Sequence, residues 1–225
     1  MTLQLDFGHE GVLVGNHVVP GAVVSRLRTD FERVAAGGAG SRVFDLPQEL
    51  RDLIGPRGAM GAFAARLAGR PNLPVRVLFF DKTVESNWAV PWHQDRTIAV
   101  KARVEFGGFG PWSIKDGIVH VEPPVSVLDS MLTLRLFIDD CGEDNGPLEV
   151  AIGSHRLGRV PGADVADIVR RSAIFPGVGR AGDVLAMRAL AIHASRRAKS
   201  PTHRRVLHVD YAAIDLPPPL EWGLD

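Results

Sequence analysis

Pro74-Val-Arg-Val-Leu-Phe-Phe80 is where the period of the chain changes. Val75, Val77 and Phe79 alternate with Arg76, Leu78 and Phe80, the two-residue repeat of a strand with at least one buried face. Upstream the repeat is helical. After Pro20, the residues Val23, Val24, Leu27, Phe31 and Val34 recur at helical spacing, and Gly37-Gly-Ala-Gly40 ends that helix in a flexible turn. Met60, Phe63, Ala64 and Leu67 share one face of a second helix over 59–67, stopped by Gly69-Arg-Pro71. Downstream, strands are expected at 97–101, 133–138, 148–152, 173–175, 183–187 and 205–211. Turn signals separate them: Gly107-Gly-Phe-Gly110, Asp144-Asn-Gly146, Pro161-Gly162, Pro176-Gly177 and Ala181-Gly-Asp183. Pro123-Pro124 opens a short helix with Val125, Leu128 and Met131, and Pro217-Pro-Pro219 makes a stiff, extended tail. Helices first and many short strands afterwards give an α+β class, mainly β, with a sandwich or barrel as its main body. The chain has neither strict βαβ alternation nor a G-x-G-x-x-G loop, which argues against a Rossmann-type fold.

At 225 residues the chain fits a single domain, 1–225, with a helical N-terminal part over about 1–72 and a β core over about 73–213. It is 45% hydrophobic and 23% charged, enough apolar material for a sizeable core and too much for disorder. Lys+Arg and Asp+Glu both number 26, so no nucleic-acid partner is expected from bulk positive charge. A single cysteine, Cys141, rules out an internal disulfide and a Cys-rich zinc module. No apolar run approaches the roughly 20 residues of a membrane span, so no membrane partner is expected. Residues 1–10 lack the basic start and apolar stretch of a secretory signal, and the expected location is cytoplasmic. The remaining partner is a small-molecule substrate; the sequence leaves the oligomeric state open.

Eight histidines are present: His9, His17, His93, His120, His155, His193, His203 and His208. With 26 acidic residues in 225, roughly one His-x-Asp/Glu arises by chance, and three occur: His93-Gln-Asp95, His120-Val-Glu122 and His208-Val-Asp210. In an extended segment residues i and i+2 point to the same side, so each pair can offer an imidazole and a carboxylate to one metal ion. A third ligand from elsewhere completes the 2-His-1-carboxylate triad, which leaves one face of an octahedral iron open. His208-Val-Asp210 lies among Val206, Leu207, Val209 and Tyr211 and reads as an alternating strand with polar residues on one face. His120-Val-Glu122 runs into Pro123-Pro124 and reads as the end of a connection. His93-Gln-Asp95 follows the aromatic, proline-extended Asn87-Trp-Ala-Val-Pro-Trp92, and His193 stands 100 residues downstream. On spacing alone His193 fits a core histidine as well as a ligand. Gly182-Asp183 opens the strand before it with a tight turn, and Arg204 follows eleven residues after it. If the segments around His193 and Arg204 are antiparallel neighbours, that guanidinium reaches the same cavity, where it suits bidentate binding of a carboxylate. Otherwise it is a solvated strand-end arginine among Arg196, Arg197, Lys199 and Arg205.

Trp92-His-Gln-Asp95, Asp139-Asp-Cys-Gly-Glu-Asp-Asn-Gly-Pro-Leu148, Gly153-Ser-His155, Gly182-Asp-Val-Leu185 and His193 with Arg204 occur in that order between residues 75 and 211. In this ordered set the chain resembles the phytanoyl-CoA dioxygenase family of Fe(II)- and 2-oxoglutarate-dependent oxygenases. The resemblance implies a double-stranded β-helix (jelly roll) flanked by N-terminal helices. It implies metal-ligand roles for His93, Asp95 and His193, and a salt bridge from Arg204 to the distal carboxylate of 2-oxoglutarate. Ser195 falls near a family position that helps hold this cosubstrate, and Thr133 on the preceding strand is a second candidate. The implied chemistry uses Fe(II), 2-oxoglutarate and O2, and hydroxylates an unactivated C–H bond with release of succinate and CO2. Related halogenases carry a small residue where Asp95 stands, so a retained carboxylate favours hydroxylation. The chain departs from the family pattern after His193, where Arg196, Arg197 and Lys199 are unusually basic.

For the substrate, Trp88, Trp92, Trp112, Phe79 and Phe109 are candidate apolar lining. Lys82, Arg96, Lys101 and Arg135 lie beside the segments that frame the pocket, and one or two of them are expected to bind a carboxylate or phosphate. Arg135 leads, because it sits inside the apolar stretch Leu132, Leu134, Leu136 and Phe137, and a buried arginine needs a partner. Trp92, Lys82 and Gln94 complete the set of substrate candidates. The competing readings are a non-catalytic jelly-roll binding protein and a cupin-type metalloenzyme that does not use 2-oxoglutarate. Ordinary cupins rely on a His-x-His pair, which this sequence lacks, and no H-E-x-x-H supports a zinc hydrolase.

Overall fold

The computed structural model describes residues 3–34, 40–42 and 46–224. The N-terminal third contains α1 (Leu3–Glu10), β1 (Val12–Gly15), α2 (Gly21–Val34), β2 (Gly40–Arg42), α3 (Gln48–Ile54) and α4 (Ala59–Ala68). There follow β3 (Leu73–Lys82), β4 (Val90–His93), β5 (Ile98–Val100), β6 (Trp112–Lys115), β7 (Ile118–Val121), α5 (Val125–Asp129), β8 (Met131–Phe137) and β9 (Leu148–Ala151). The last part holds α6 (Val165–Arg171), β10 (Ile174–Gly177), β11 (Val184–Arg188), β12 (His193–Ser195) and β13 (Arg204–Ala212).

Strand alternation sets the architecture. The large sheet has the order β1-β11-β8-β13-β3-β2, and a smaller one the order β10-β9-β12-β4, with antiparallel pairing throughout. On one face of the large sheet Val77, Phe79, Leu132, Leu134, Leu136, Leu207, Val209 and Tyr211 pack against Leu27 and Phe31 of α2 and Met60, Phe63 and Leu67 of α4. On the other face Phe137, Leu185, Met187 and Val206 meet Leu148 and Val150 of the small sheet. That sandwich of two antiparallel sheets is the jelly roll, and the helices cover its outer side. Its class is α+β, mainly β.

The helices after Pro20 and over 59–67 form where their spacing places them, and Pro20 accepts the first helical bonds, from Val23 and Val24 N–H. Part of the expected glycine turn, residues 37–39, lies outside the described residues. The N-terminal part is not helical alone, since β1 and β2 add edge strands to the large sheet. A hairpin of β6 and β7, absent from the expected strands, joins β5 in a third sheet and places His120 in a strand rather than at the end of a connection. The C-terminal segment does not extend away. Leu216 and Leu220 are buried with Val100, Val121 and Leu128, while Lys101 N–H and Gly223 N–H bond the carbonyls of Glu221 and Ala99. No helix among the described residues is long and apolar enough to cross a membrane.

Candidate active site

His93 and His193 face each other because β4 and β12 pair antiparallel with these residues in direct register. Their ring centroids are 4.3 Å apart. Each imidazole is oriented in the same way: Nδ1–H donates to the carbonyl two residues earlier, Pro91 O at 2.8 Å for His93 and Ala191 O at 2.9 Å for His193. The Nε2 lone pairs are therefore left to face Asp95, 3.8 Å from Oδ1 and 3.9 Å from Oδ2 respectively. These separations exceed a hydrogen bond. They remain below the ~4.2 Å that two atoms each about 2.1 Å from a shared ion can span. All three ligand atoms lie within 4.8 Å of one another. A pair of imidazoles and one carboxylate, converging without bonding each other, fits a divalent transition metal. Burial pushes His193 down to about 4, the pull of Asp95 offsetting this only in part, so its ring is neutral as a ligand requires. Burial opposes the charge of Asp95, but His193 and Arg76 outweigh it and hold the carboxyl below its ordinary value.

The triad lines a cavity of about 230 Å³ together with Phe80, Trp88, Val90, Leu148, Arg135, Ser195, Arg204 and His208. Arg204 and His193 are not strand neighbours: β12 lies in the small sheet and β13 in the large one, so the guanidinium arrives across the sandwich. Arg204 is buried, donates to the carbonyl of Gly146, and has an Nε that is buried without a partner among the described residues. Beside it stands Lys82, its partner in the β3–β13 register, with no exposed surface. Lys82 Nζ donates to Ser195 Oγ at 2.8 Å and to Arg196 O at 2.5 Å, and lies 5.4 Å from the Trp88 ring centroid. Ser195 Oγ in turn donates to Gly146 O at 3.1 Å. Desolvation, then the like charges of Arg204 and Arg135, push Lys82 down to about 7. This end of the cavity holds two basic side chains and an orphaned N–H whose hydrogen-bond acceptors are all uncharged, a donor set that suits a carboxylate.

Between the two ends runs a buried polar chain on β3, β8 and β13. Arg135 Nη1 donates to His208 Nδ1 at 2.9 Å, which leaves Nε2–H of that ring to donate to Asp210 Oδ1 at 3.0 Å. Thr133 Oγ1 donates to the same oxygen at 2.6 Å, and Arg76 Nε to Asp210 Oδ2 at 2.5 Å. Burial works against the Asp210 charge, yet Arg76 and His208 hold its carboxyl far below the usual carboxylate range. His208 and Asp210 thus form the polar face of an alternating strand, and that face looks into the roll.

Other sequence candidates are brought elsewhere. Thr133 does not line the cavity; its hydroxyl is committed to Asp210. Gln94 does not line the cavity and points away from it. Its amide bonds the carbonyls of Gly158 and Leu190 and the N–H of Val160. Trp92, on the same outer side, packs against the cluster of Ala151, Val160, Val165 and Ile192. Phe79 is in the helix-side core, while Phe109 and Trp112 pack in the third-sheet core. Arg96 pairs with Glu122 and Lys101 with Glu221. Gly182, at φ +94°, packs so that a Cβ would lie 2.6 Å from Val19 O, and Asp183 accepts from His17 and Arg180 N–H, so this motif shapes a turn. In the basic stretch after His193, Arg196 pairs with Glu149 and Lys199 with Asp144. A larger groove, about 460 Å³ and lined by His155, Arg156 and Arg188, holds none of the triad.

Two imidazoles and a carboxylate on one wall of a jelly roll define the class of 2-His-1-carboxylate non-heme iron oxygenases. The family model for phytanoyl-CoA dioxygenase (PhyH) matches residues 7–206, and the chain belongs to that family of iron- and 2-oxoglutarate-dependent oxygenases. No curated protein sequence matches significantly. Among solved structures the chain is similar to AviO1 from Streptomyces viridochromogenes, at 22% identity over 96% of this chain and 95% of that one, with a TM-score of 0.70. It is similar to the epimerase SnoN in complex with Fe3+, alpha ketoglutarate and nogalamycin RO, at 17% identity over 93% and 82%, TM-score 0.70. EctD from S. alaskensis with 2-oxoglutarate and 5-hydroxyectoine is similar at 18% identity over 95% and 77%, TM-score 0.71. At these identities the likeness is one of fold.

Proposed function

We propose that this protein hydroxylates an unactivated C–H bond of a small organic substrate bearing an anionic group. The observation that carries the reading is the convergence of His93, Asp95 and His193 on one wall of a cavity whose other end is formed by Arg204. Iron held by the triad, with 2-oxoglutarate and O2, supplies the oxidising power, and the cosubstrate leaves as succinate and CO2. The protein's own part is orientation. Arg204 and Lys82 neutralise the distal carboxylate of the cosubstrate, and Ser195 adds a hydroxyl beside them. Lys82 therefore belongs to the cosubstrate end rather than to the substrate. Arg135, fixed through His208, turns its guanidinium over the Phe80 ring at 5.2 Å and offers its remaining N–H groups to a substrate anion. Trp88, Val90 and Leu148 give the cavity an apolar wall that limits water near the reacting carbon. Retention of a carboxylate at Asp95 supports hydroxylation over halogenation. SnoN is named an epimerase, so product analysis has to separate hydroxylation from other oxidative outcomes.

Anaerobic addition of Fe(II) and 2-oxoglutarate to the purified protein is expected to give a visible charge-transfer band. The band should vanish in the Ala variants of His93, Asp95 and His193 and weaken in Arg204→Ala. In air, small carboxylic acids, amino-acid derivatives and acyl thioesters are then screened for stimulated succinate release and a product with one added oxygen. A protein that gives no band and no succinate is a binding protein, and the proposal fails.

A further inference from the structure

A carboxylate that serves as a metal ligand needs outer partners to hold its orientation, and such partners govern metal affinity nearly as strongly as the ligands do. Asp95 lies beyond the end of β4, in a segment without regular structure, so no strand ladder fixes it. Arg76 approaches from β3, with Nη2 3.8 Å from Asp95 Oδ2. The other edge of that guanidinium is held by Asp210, whose Oδ2 accepts from Nε at 2.5 Å across the β3–β13 pairing. Asp210 is pinned in turn by Thr133 and His208 on its second oxygen. The Arg76 and Asp210 side chains are largely buried, at 13% and 6% exposure, so that pair is little screened by solvent, while Asp95 is 31% exposed. Arg76 faces two acids, and only one of them, Asp210, is needed to neutralise it. Its second carboxylate is the triad's own.

We propose that Arg76, anchored by Asp210, is the positioning residue that holds Asp95 in its ligand orientation. The inference rests on the metal-site reading given above. A purely structural Arg76–Asp210 pair would affect folding and leave metal affinity alone, and this contrast is the basis of the test.

The probe is Mn(II) alone, titrated without cosubstrate and followed by the paramagnetic signal of the free ion, with thermal unfolding recorded for each variant. Arg76→Gln combined with Asp210→Asn removes both charges without stranding a buried carboxylate. This double variant is expected to unfold cooperatively and to bind Mn(II) about 10–100-fold more weakly than the parent. Arg76→Lys, whose ammonium lacks the fork that spans two carboxylates, is expected to show a smaller loss of several-fold. Mn(II) affinity within about twofold of the parent in the folded double variant overturns the proposal. If the double variant does not fold, unchanged affinity in Arg76→Lys does so instead. A parent protein that takes up no Mn(II), like His193→Ala, would refute the metal site itself, and this inference with it.

Discussion

Lys82 has no exposed surface, and both of its hydrogen-bond acceptors, Ser195 Oγ and Arg196 O, are uncharged. An ammonium in that position lacks a counter-charge, and its value of about 7 reflects desolvation reinforced by Arg204 and Arg135. A bound dicarboxylate would supply the missing charge. Below about pH 7 the amine is already protonated, and binding takes up no proton at Lys82; above it, binding must take one up, so affinity falls as pH rises, by up to tenfold per unit. The carboxylates of 2-oxoglutarate stay ionised throughout this range. Calorimetric titration of 2-oxoglutarate into metal-loaded protein between about pH 7 and pH 9 should show that rise in dissociation constant. Lys82→Met should bind more weakly at neutral pH and give a flat profile, whereas a slope as steep as the parent's would assign the proton to another group. The triad and Arg204 were legible in sequence because His93-Gln-Asp95, His193 and Arg204 stand in a recognisable order. Lys82 is legible there only as a charge beside the pocket, His208-Val-Asp210 only as an alternating strand, and Arg76 as a neighbour of the site not at all. A two-residue period says which side chains share a face, but when both faces of a strand are buried it does not say which face meets the site.

The turn between β8 and β9 shows how an element shapes the cavity without contributing a side chain to it. Gly146 has φ +58°, and a Cβ there would lie 2.6 Å from Arg196 O and 2.9 Å from Ala198 N. Its carbonyl accepts from both Ser195 and Arg204, so displacement of this turn moves two groups of the cosubstrate end together. Gly146→Ala is expected to cost about 1–3 kcal/mol in denaturant unfolding. It should also weaken 2-oxoglutarate binding while leaving Mn(II) affinity at the parent level, because the triad lies on β4, β12 and the segment after β4. Wild-type 2-oxoglutarate affinity in a destabilised variant would confine the turn to a structural role. Asp144-Asn-Gly146 was visible in the sequence as a turn because few residues besides glycine tolerate positive φ. The β6–β7 hairpin carries a comparable signal, Asp116-Gly117 with φ of 51° and 79° between two four-residue strands, yet it is absent from the expected strands. The helices α3 and α6, each seven residues long, are absent from the expected elements too, whereas the shorter α5 is marked by Pro123-Pro124.

Across the whole molecule the large sheet separates two kinds of interior. Its helix side is apolar, with Leu134, Leu136, Leu207 and Tyr211, and its inner side carries Thr133, Arg135, His208 and Asp210 at the alternate positions. A polar inner face can be kept only if the layer packed behind it is stable, which assigns the N-terminal helices and the third sheet a supporting part. The C-terminal segment belongs to that support. Pro217-Pro-Pro219 reads locally as an extended tail, yet tertiary burial of the flanking Leu216 and Leu220 overrides the local preference and folds the segment onto β5. Trp222 forms a bridge with Val100 and donates its indole N–H to Ile214 O, closing the segment on itself. Removal of residues 214–225 would uncover Val100, Val121 and Leu128, apolar surface worth about 25 cal/mol per Å². Such a truncated chain is expected to unfold at a lower temperature and to be cut by protease within β5–β7 before the jelly roll is attacked. An unchanged midpoint and cleavage pattern would show that this segment contributes nothing to the third sheet, and that β5–β7 are held by the rest of that cluster, Val75, Leu128, Met131 and Leu190 among it.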